Sequence, residues 1–170
     1  MDVAAVITRM RANADVFAAL CRDVDTKQAR WKPEPKRWSI LEVVAHLADE
    51  EVEDFRARLD VVLHRPADPW PGIDPEGWPL SRRYNEGDLP TALARFLAAR
   101  SASIAWLESL DAPDWTTEST HPRGFTLRAG DLLTSWLAHD IIHIRQIDRL
   151  HRAWLVDVLS DYSAEYAGPW

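Results

Sequence analysis

The residues best suited to chemistry are histidines on segments with helical periodicity. His139 and His143 are four residues apart, so on a helix they lie on one face and can bind a single metal ion. Their neighbours at helical spacing, Trp136 and Ile147, are apolar and place the pair on the buried face. Buried imidazoles need partners for their polar nitrogens, and a metal ion would supply one.

His46 lies on a different segment of helical periodicity, next to Val43 at the edge of an apolar stripe. In a helical bundle it can approach the other two histidines and complete a set of three. Three neutral imidazoles leave coordination positions open for water or a substrate, which is typical of a catalytic or ligand-binding metal site. The pattern alone leaves an alternative open, in which all three are core residues hydrogen-bonded to protein groups.

Two carboxylates are candidates for roles beside these histidines. Glu50 follows His46 by one helical turn, where it can be a fourth ligand or a general base acting on metal-bound water. The alternative is an exposed carboxylate at the edge of the apolar stripe. Asp140 directly follows His139 and can orient an imidazole by a hydrogen bond, or else bond to another helix.

Apolar residues recur at steps of three and four in four long segments, which predicts four amphipathic helices. The second starts with Ser39 and Glu42, which form the pattern of a capping box. A short fifth helix is predicted over 152–165, and no alternating strand pattern is present. The fold class predicted is therefore an all-α four-helix bundle with long loops. The four segments span about 3–24, 40–64, 88–110 and from near 126 to 150.

The long connection 65–87 is rich in proline and glycine, which stop both helices and strands. Loops of this length are often lids or binding loops, and the alternative is a surface loop pinned by its tryptophans. Arg82, Arg83 and Tyr84 lie in this connection and are candidates for binding an anionic substrate. The alternative for the two arginines is full solvation.

Length and composition narrow the classes of protein further. A chain of 170 residues suits one domain, predicted over 1–170. The net charge of −7 argues against a nucleic-acid binder. Cys21 is the only cysteine, which excludes an intrachain disulfide and a multi-cysteine zinc site. The sequence shows neither a signal peptide nor an apolar run that could span a membrane, so we predict a cytoplasmic protein without a membrane partner.

Two groups of residues, around the second and the fourth predicted helix, form a combination of motifs. The first group is Trp31-Lys32-Pro33, Trp38-Ser39-Ile40, Glu42, His46-Leu47 and Glu50. The second group is Thr126-Leu127, Asp131-Leu132-Leu133, His139-Asp140, His143-Ile144 and Gln146-Ile147. The two groups resemble the two sequence motifs of the DinB/YfiT-like superfamily. The resemblance covers nearly the whole chain, and the combination of both motifs is far more specific than either alone.

This resemblance implies a four-helix bundle, often dimeric, in which His46, His139 and His143 bind a divalent metal. Imidazole nitrogens accept zinc, nickel, copper and iron alike, and of these we expect zinc or nickel. Some members of the family are S-transferases or isomerases that use bacillithiol or mycothiol, and others have been proposed as metal-dependent hydrolases. We therefore expect a thiol-dependent, S-transferase-like reaction on a small molecule in a homodimer. The alternatives are a hydrolase and a non-catalytic, stress-related protein that binds metal or a small ligand.

Overall fold

The fold is built from four long helical segments, as the periodicity predicts. A computed structural model of the chain describes residues 1–168. None of the described helices combines the length and apolar character that crossing a bilayer requires. In chain order the helices are α1 Val3–Leu20, α2 Thr26–Arg30, α3 Ile40–Glu50, a π-helical turn Glu51–Phe55, α4 Arg56–His64, α5 Trp78–Ser81, α6 Leu89–Ser109 and α7 Ala129–Val158. Short 3₁₀ turns cover Tyr84–Glu86 and Glu165–Ala167, and the strands are β1 Glu118–Thr120 and β2 Thr126–Arg128.

The start of α3 is fixed by the predicted capping box. The Glu42 amide donates to the Ser39 hydroxyl at 3.2 Å, and the Ser39 amide donates to the Glu42 carboxylate at 2.9 Å. These bonds satisfy amides that have no partner within the helix. The position of His46 along the helix is thereby set from a defined first turn.

The second long segment is one continuous helix interrupted by a π-helical turn. The turn Glu51–Phe55 follows Glu50 directly and joins α3 to α4. A π turn holds more residues than an α turn, so it changes which side chains face inward. Glu50, Glu51 and Phe55 are all buried as a result. Turns of this kind are rare and are frequent at functional sites.

The core consists of two apolar clusters with a buried polar layer between them. One cluster contains Phe17 and Phe96, and the other contains Met10 and Ile104. Along each bundle helix, the polar residue lies between members of the two clusters. The layer consists of Asn13 from α1, Glu51 from the π turn, Arg100 from α6 and Asp140 from α7. A charged layer across the middle of a core requires partners for every member.

The sequence prediction was wrong at both ends of the fourth helix. Residues 126–128 form β2, which pairs antiparallel with β1, so α7 begins at Ala129 instead of near Thr126. At the other end, α7 continues to Val158, and no separate helix spans 152–165. The single domain over 1–170 remains a prediction, and its last two residues lie outside the described part of the chain.

The long connection 65–87 is anchored to the body of the protein by aromatic side chains. Trp70 and Trp78 are buried, and the Trp70 indole donates to the Ser119 hydroxyl at 2.9 Å. The Arg82 guanidinium lies over the Trp78 ring at 4.1 Å from its centre. These contacts favour the pinned surface loop over the lid.

Candidate metal centre

The bundle brings the three predicted histidines together where α3 faces α7. One ligand atom from each of His46, His139 and His143 lies within 4.8 Å of the others. The ring centres are 5.0 Å apart for His46 and His143 and 4.3 Å apart for the two rings of α7. Three imidazoles this close can share one metal ion.

The ring of His143 is oriented by its neighbour Gln146. A distance of 2.7 Å joins His143 Nδ1 to Gln146 Oε1. An amide oxygen only accepts hydrogen bonds, so Nδ1 carries the hydrogen and Nε2 keeps its lone pair. That Nε2 lies 3.0 Å from His139 Nε2, inside the cluster. A second bond that fixes the ring of a ligand in this way is usual at metal sites.

Both fully enclosed imidazoles are neutral at neutral pH. Burial lowers the pKa of His46 to about 4, with a smaller lowering effect of the nearby His139 and against the raising effects of Glu50 and Asp49. Burial likewise lowers the pKa of His143 to about 3, with His139 and His46 adding to the effect. Metal ligation requires the neutral form of imidazole, so these rings need lose no proton to bind a cation.

Glu50 completes the cluster with a carboxylate that is only 5% exposed. Its Oε2 lies 2.9 Å from His139 Nε2, and its Oε1 lies 3.5 Å from His46 Nε2. Although Glu50 Oε2 lies this close to His139, it accepts no hydrogen bond from any described residue. His46 Nδ1 likewise has no hydrogen-bond partner among the described residues. Buried atoms with lone pairs and no partner are costly, and a cation would satisfy them. The residues present therefore fit a divalent metal.

Aromatic side chains form the walls of the cluster. The Trp38 ring centre is 4.7 Å from that of His46, and the Trp38 plane is nearly parallel to that of His143. The Phe55 ring centre lies 5.0 Å from that of His139. The sequence reasoning did not assign Trp38, Phe55 or Gln146 to the site. A spacing of three residues from His143 was the signal that could have identified Gln146.

Asp140 does not take the place predicted for it beside the imidazoles. Its carboxylate accepts two hydrogen bonds of 2.7 Å from Arg100 and one of 3.0 Å from Asn13. Consecutive residues of a helix point about 100° apart, so His139 and Asp140 cannot both face the same cluster. Asp140 belongs to the buried polar layer, where it bonds to another helix.

The loop residues predicted to bind an anionic substrate are already paired with carboxylates. Arg82 donates to both Asp49 and Glu53, and the Tyr84 hydroxyl donates to Asp49. Arg83 forms an exposed ion pair with Glu86. These pairs neutralise the arginine charges, so the contacts do not support the predicted role in binding an anion.

Comparison with known proteins gives one match to a protein family. The model of the DinB superfamily matches residues 9–147, which is most of the chain. Among curated proteins, no sequence matches significantly.

Solved structures with the same fold are also found. YfiT from Bacillus subtilis, described as a probable metal-dependent hydrolase with an unusual four-helix bundle topology, has a TM-score of 0.77 at 19% identity, over 86% of this chain and 84% of that one. A mycothiol-dependent maleylpyruvate isomerase has a TM-score of 0.65 at 16% identity, over 86% of this chain and 61% of that one. At such identities the likeness establishes the fold.

Proposed function

The chain belongs to the DinB superfamily, and from that premise we propose that it is a metal-dependent enzyme acting on a small molecule. The observation that carries the proposal is the set of three clustered imidazoles with the buried carboxylate of Glu50 against them. His46, His139 and His143 are the proposed ligands, and zinc or nickel is the proposed metal. We further propose a cytoplasmic homodimer, on the family resemblance and on the sequence.

In the favoured reaction, a low-molecular-weight thiol is transferred to an electrophilic substrate. A divalent metal, when bound, lowers the pKa of a thiol or water that it coordinates. In this proposal, Glu50 Oε2 accepts the proton that the thiol loses, and the rings of Trp38 and Phe55 pack against His46 and His139. Gln146 holds His143 in the tautomer that ligation requires. The similarity to a mycothiol-dependent isomerase supports the thiol.

Hydrolysis is the second candidate, and the same carboxylate favours it. Glu50 can accept a proton from an attacking water as well as from a thiol, and YfiT is described as a probable hydrolase. In a non-catalytic metal-binding protein, this carboxylate would be a fourth ligand that closes the site. In the proposed enzyme, Glu50 Oε2, 2.9 Å from His139 Nε2, is instead the base beside an open coordination position.

Thiol binding can be tested before any electrophile is known. We expect protein loaded with cobalt to develop a sulfur-to-cobalt charge-transfer absorption when cysteine or a cysteine-containing thiol is added. Serine, which carries a hydroxyl in place of the thiol, should give no such band. Absence of the band with every thiol tried, in protein that holds cobalt stoichiometrically, would reject the transferase and leave the hydrolase.

The role of Glu50 can be tested with Glu50→Gln, which keeps the shape of the side chain and removes its charge. If Glu50 is the proton acceptor, we expect turnover to fall by about 10²- to 10⁴-fold, while metal content is unchanged. Glu53→Gln is the matched control, since Glu53 bonds Arg82 instead of an imidazole. Metal loss in Glu50→Gln would instead identify Glu50 as a fourth ligand.

A further inference from the structure

A groove of about 500 Å³ runs beside the metal centre, between the residues that precede α3 and the outer face of α7. Trp38 and Gln146 line the groove and also contact the imidazole cluster, so the two sites share a wall. Ile142 and Leu150 add an apolar surface along α7. The groove therefore lies directly beside the imidazole cluster, with Trp38 and Gln146 between the two.

The rim of this groove carries three arginines, Arg37, Arg145 and Arg149, against one carboxylate, Glu34. Among the described residues, Arg145 and Arg149 form no ion pair or hydrogen bond through their side chains. Arg37 has one ion pair, a 3.9 Å contact with Glu34 in which both side chains are well exposed. Such a contact contributes little. In a chain of net charge −7, this is a local concentration of unneutralised positive charge.

We infer that this groove binds the anionic end of a carboxylate-bearing organic substrate or thiol co-substrate. The inference rests on the proposed function, because it names the class of molecule that reaches the metal centre. Guanidinium groups bind carboxylates through paired hydrogen bonds, and the Trp38 ring and Ile142 suit an apolar or aromatic portion of the ligand.

Along the axis of α7, Arg145 and Arg149 lie two and six residues beyond His143, which is about 3 and 9 Å at 1.5 Å per residue. At about 100° per residue, both project from a different side of the helix than His143. The two arginines therefore line the groove while His143 faces the imidazole cluster.

A pair of fluorescent probes tests the anion site without knowledge of the substrate. Anilinonaphthalene sulfonate joins an aromatic body to an anion, and phenyl-naphthylamine is its neutral counterpart. In metal-loaded protein, we expect Arg145→Gln with Arg149→Gln to raise the Kd of the sulfonate by about tenfold or more, since charged hydrogen bonds are lost. The Kd of the neutral probe should change less than about twofold.

The matched control is Arg9→Gln with Arg123→Gln, which changes the net charge equally at exposed positions on α1 and in the turn between β1 and β2. It should leave both Kd values unchanged. Three results would each overturn the inference. They are an equal loss of sulfonate affinity in the control variant, an equal loss of affinity for both probes in the Arg145→Gln and Arg149→Gln variant, and no loss of affinity in that variant. Metal content measured on the same samples separates the two proposals. Wild type that takes up no zinc or nickel when these are offered, yet binds the sulfonate through these arginines, would reject the metal enzyme and retain the anion groove.

Discussion

Replacing His143 with alanine is expected to leave less than about a tenth of the divalent metal that the wild-type protein retains after purification. His143 is one of the two buried imidazoles of the cluster: Gln146 holds its Nδ1 and the Trp38 ring lies parallel to it. Loss of a residue that only orients a ligand costs 10- to 100-fold in metal affinity, so loss of the ligand itself should cost about 100-fold or more.

Elemental analysis of protein purified without a histidine tag measures this directly. His64→Ala is the matched control, because His64 lies at the exposed end of α4 and bonds Asp60. It should keep a full complement of metal. A wild-type protein that remains empty when zinc or nickel is offered would contradict the metal site, as would a His143→Ala variant that keeps its metal.

The four bundle helices could be predicted because each buries one continuous apolar face, which the sequence records as steps of three and four. The strands could not be predicted, since three residues are too few to show an alternation of apolar and polar side chains. The prediction of a separate fifth helix was wrong because α7 continues past Leu150, and no proline or glycine stops it before Val158. The π turn after Glu50 leaves no mark in the spacing of apolar residues, and it brings both Glu50 and Glu51 inside.

The histidines could be found because two of them share a helical face, whereas their surroundings depend on contacts distant in the chain. Asp140 meets Arg100, a residue 40 positions away, which no local spacing indicates. The arginines of the 65–87 connection were chosen for their loop position, yet Asp49 and Glu53 bind Arg82. Arg145 and Arg149, whose side chains have no ion pair or hydrogen bond among the described residues, lie on α7, where burial of the opposite face leaves them on the surface.

Arg100 is the centre of the buried polar layer and its only cation within the described core. It is 1% exposed and donates two hydrogen bonds to Glu51, at 2.7 and 2.9 Å, and two to Asp140. Trp136 adds a hydrogen bond of 3.0 Å to Glu51. Burial lowers the pKa of Arg100, but the bonds and charges of Asp140 and Glu51 outweigh it and raise the pKa above its usual value.

We expect Arg100→Met to lower the free energy of unfolding by about 3–5 kcal/mol. Methionine fills a similar volume without the charge, so Glu51 and Asp140 would stay buried with no cation between them. Removing one partner of a buried ion pair costs far more than the pair contributes when intact, because an uncompensated charge is left inside. Urea unfolding followed by circular dichroism gives the value, on protein stripped of metal so that ligand binding does not add to it.

Two further variants separate charge from packing. Arg11→Met removes an exposed ion pair with Glu108, in which the side chains are 54% and 49% accessible, and should cost no more than about 1 kcal/mol. Arg100→Met combined with Glu51→Gln and Asp140→Asn removes the stranded charges and should recover a large part of the loss. Recovery would show that the layer holds the π turn, α6 and α7 together by charge balance. If Arg100→Met costs no more than Arg11→Met, the buried ion pairs do not determine how the helices that carry the histidines are held.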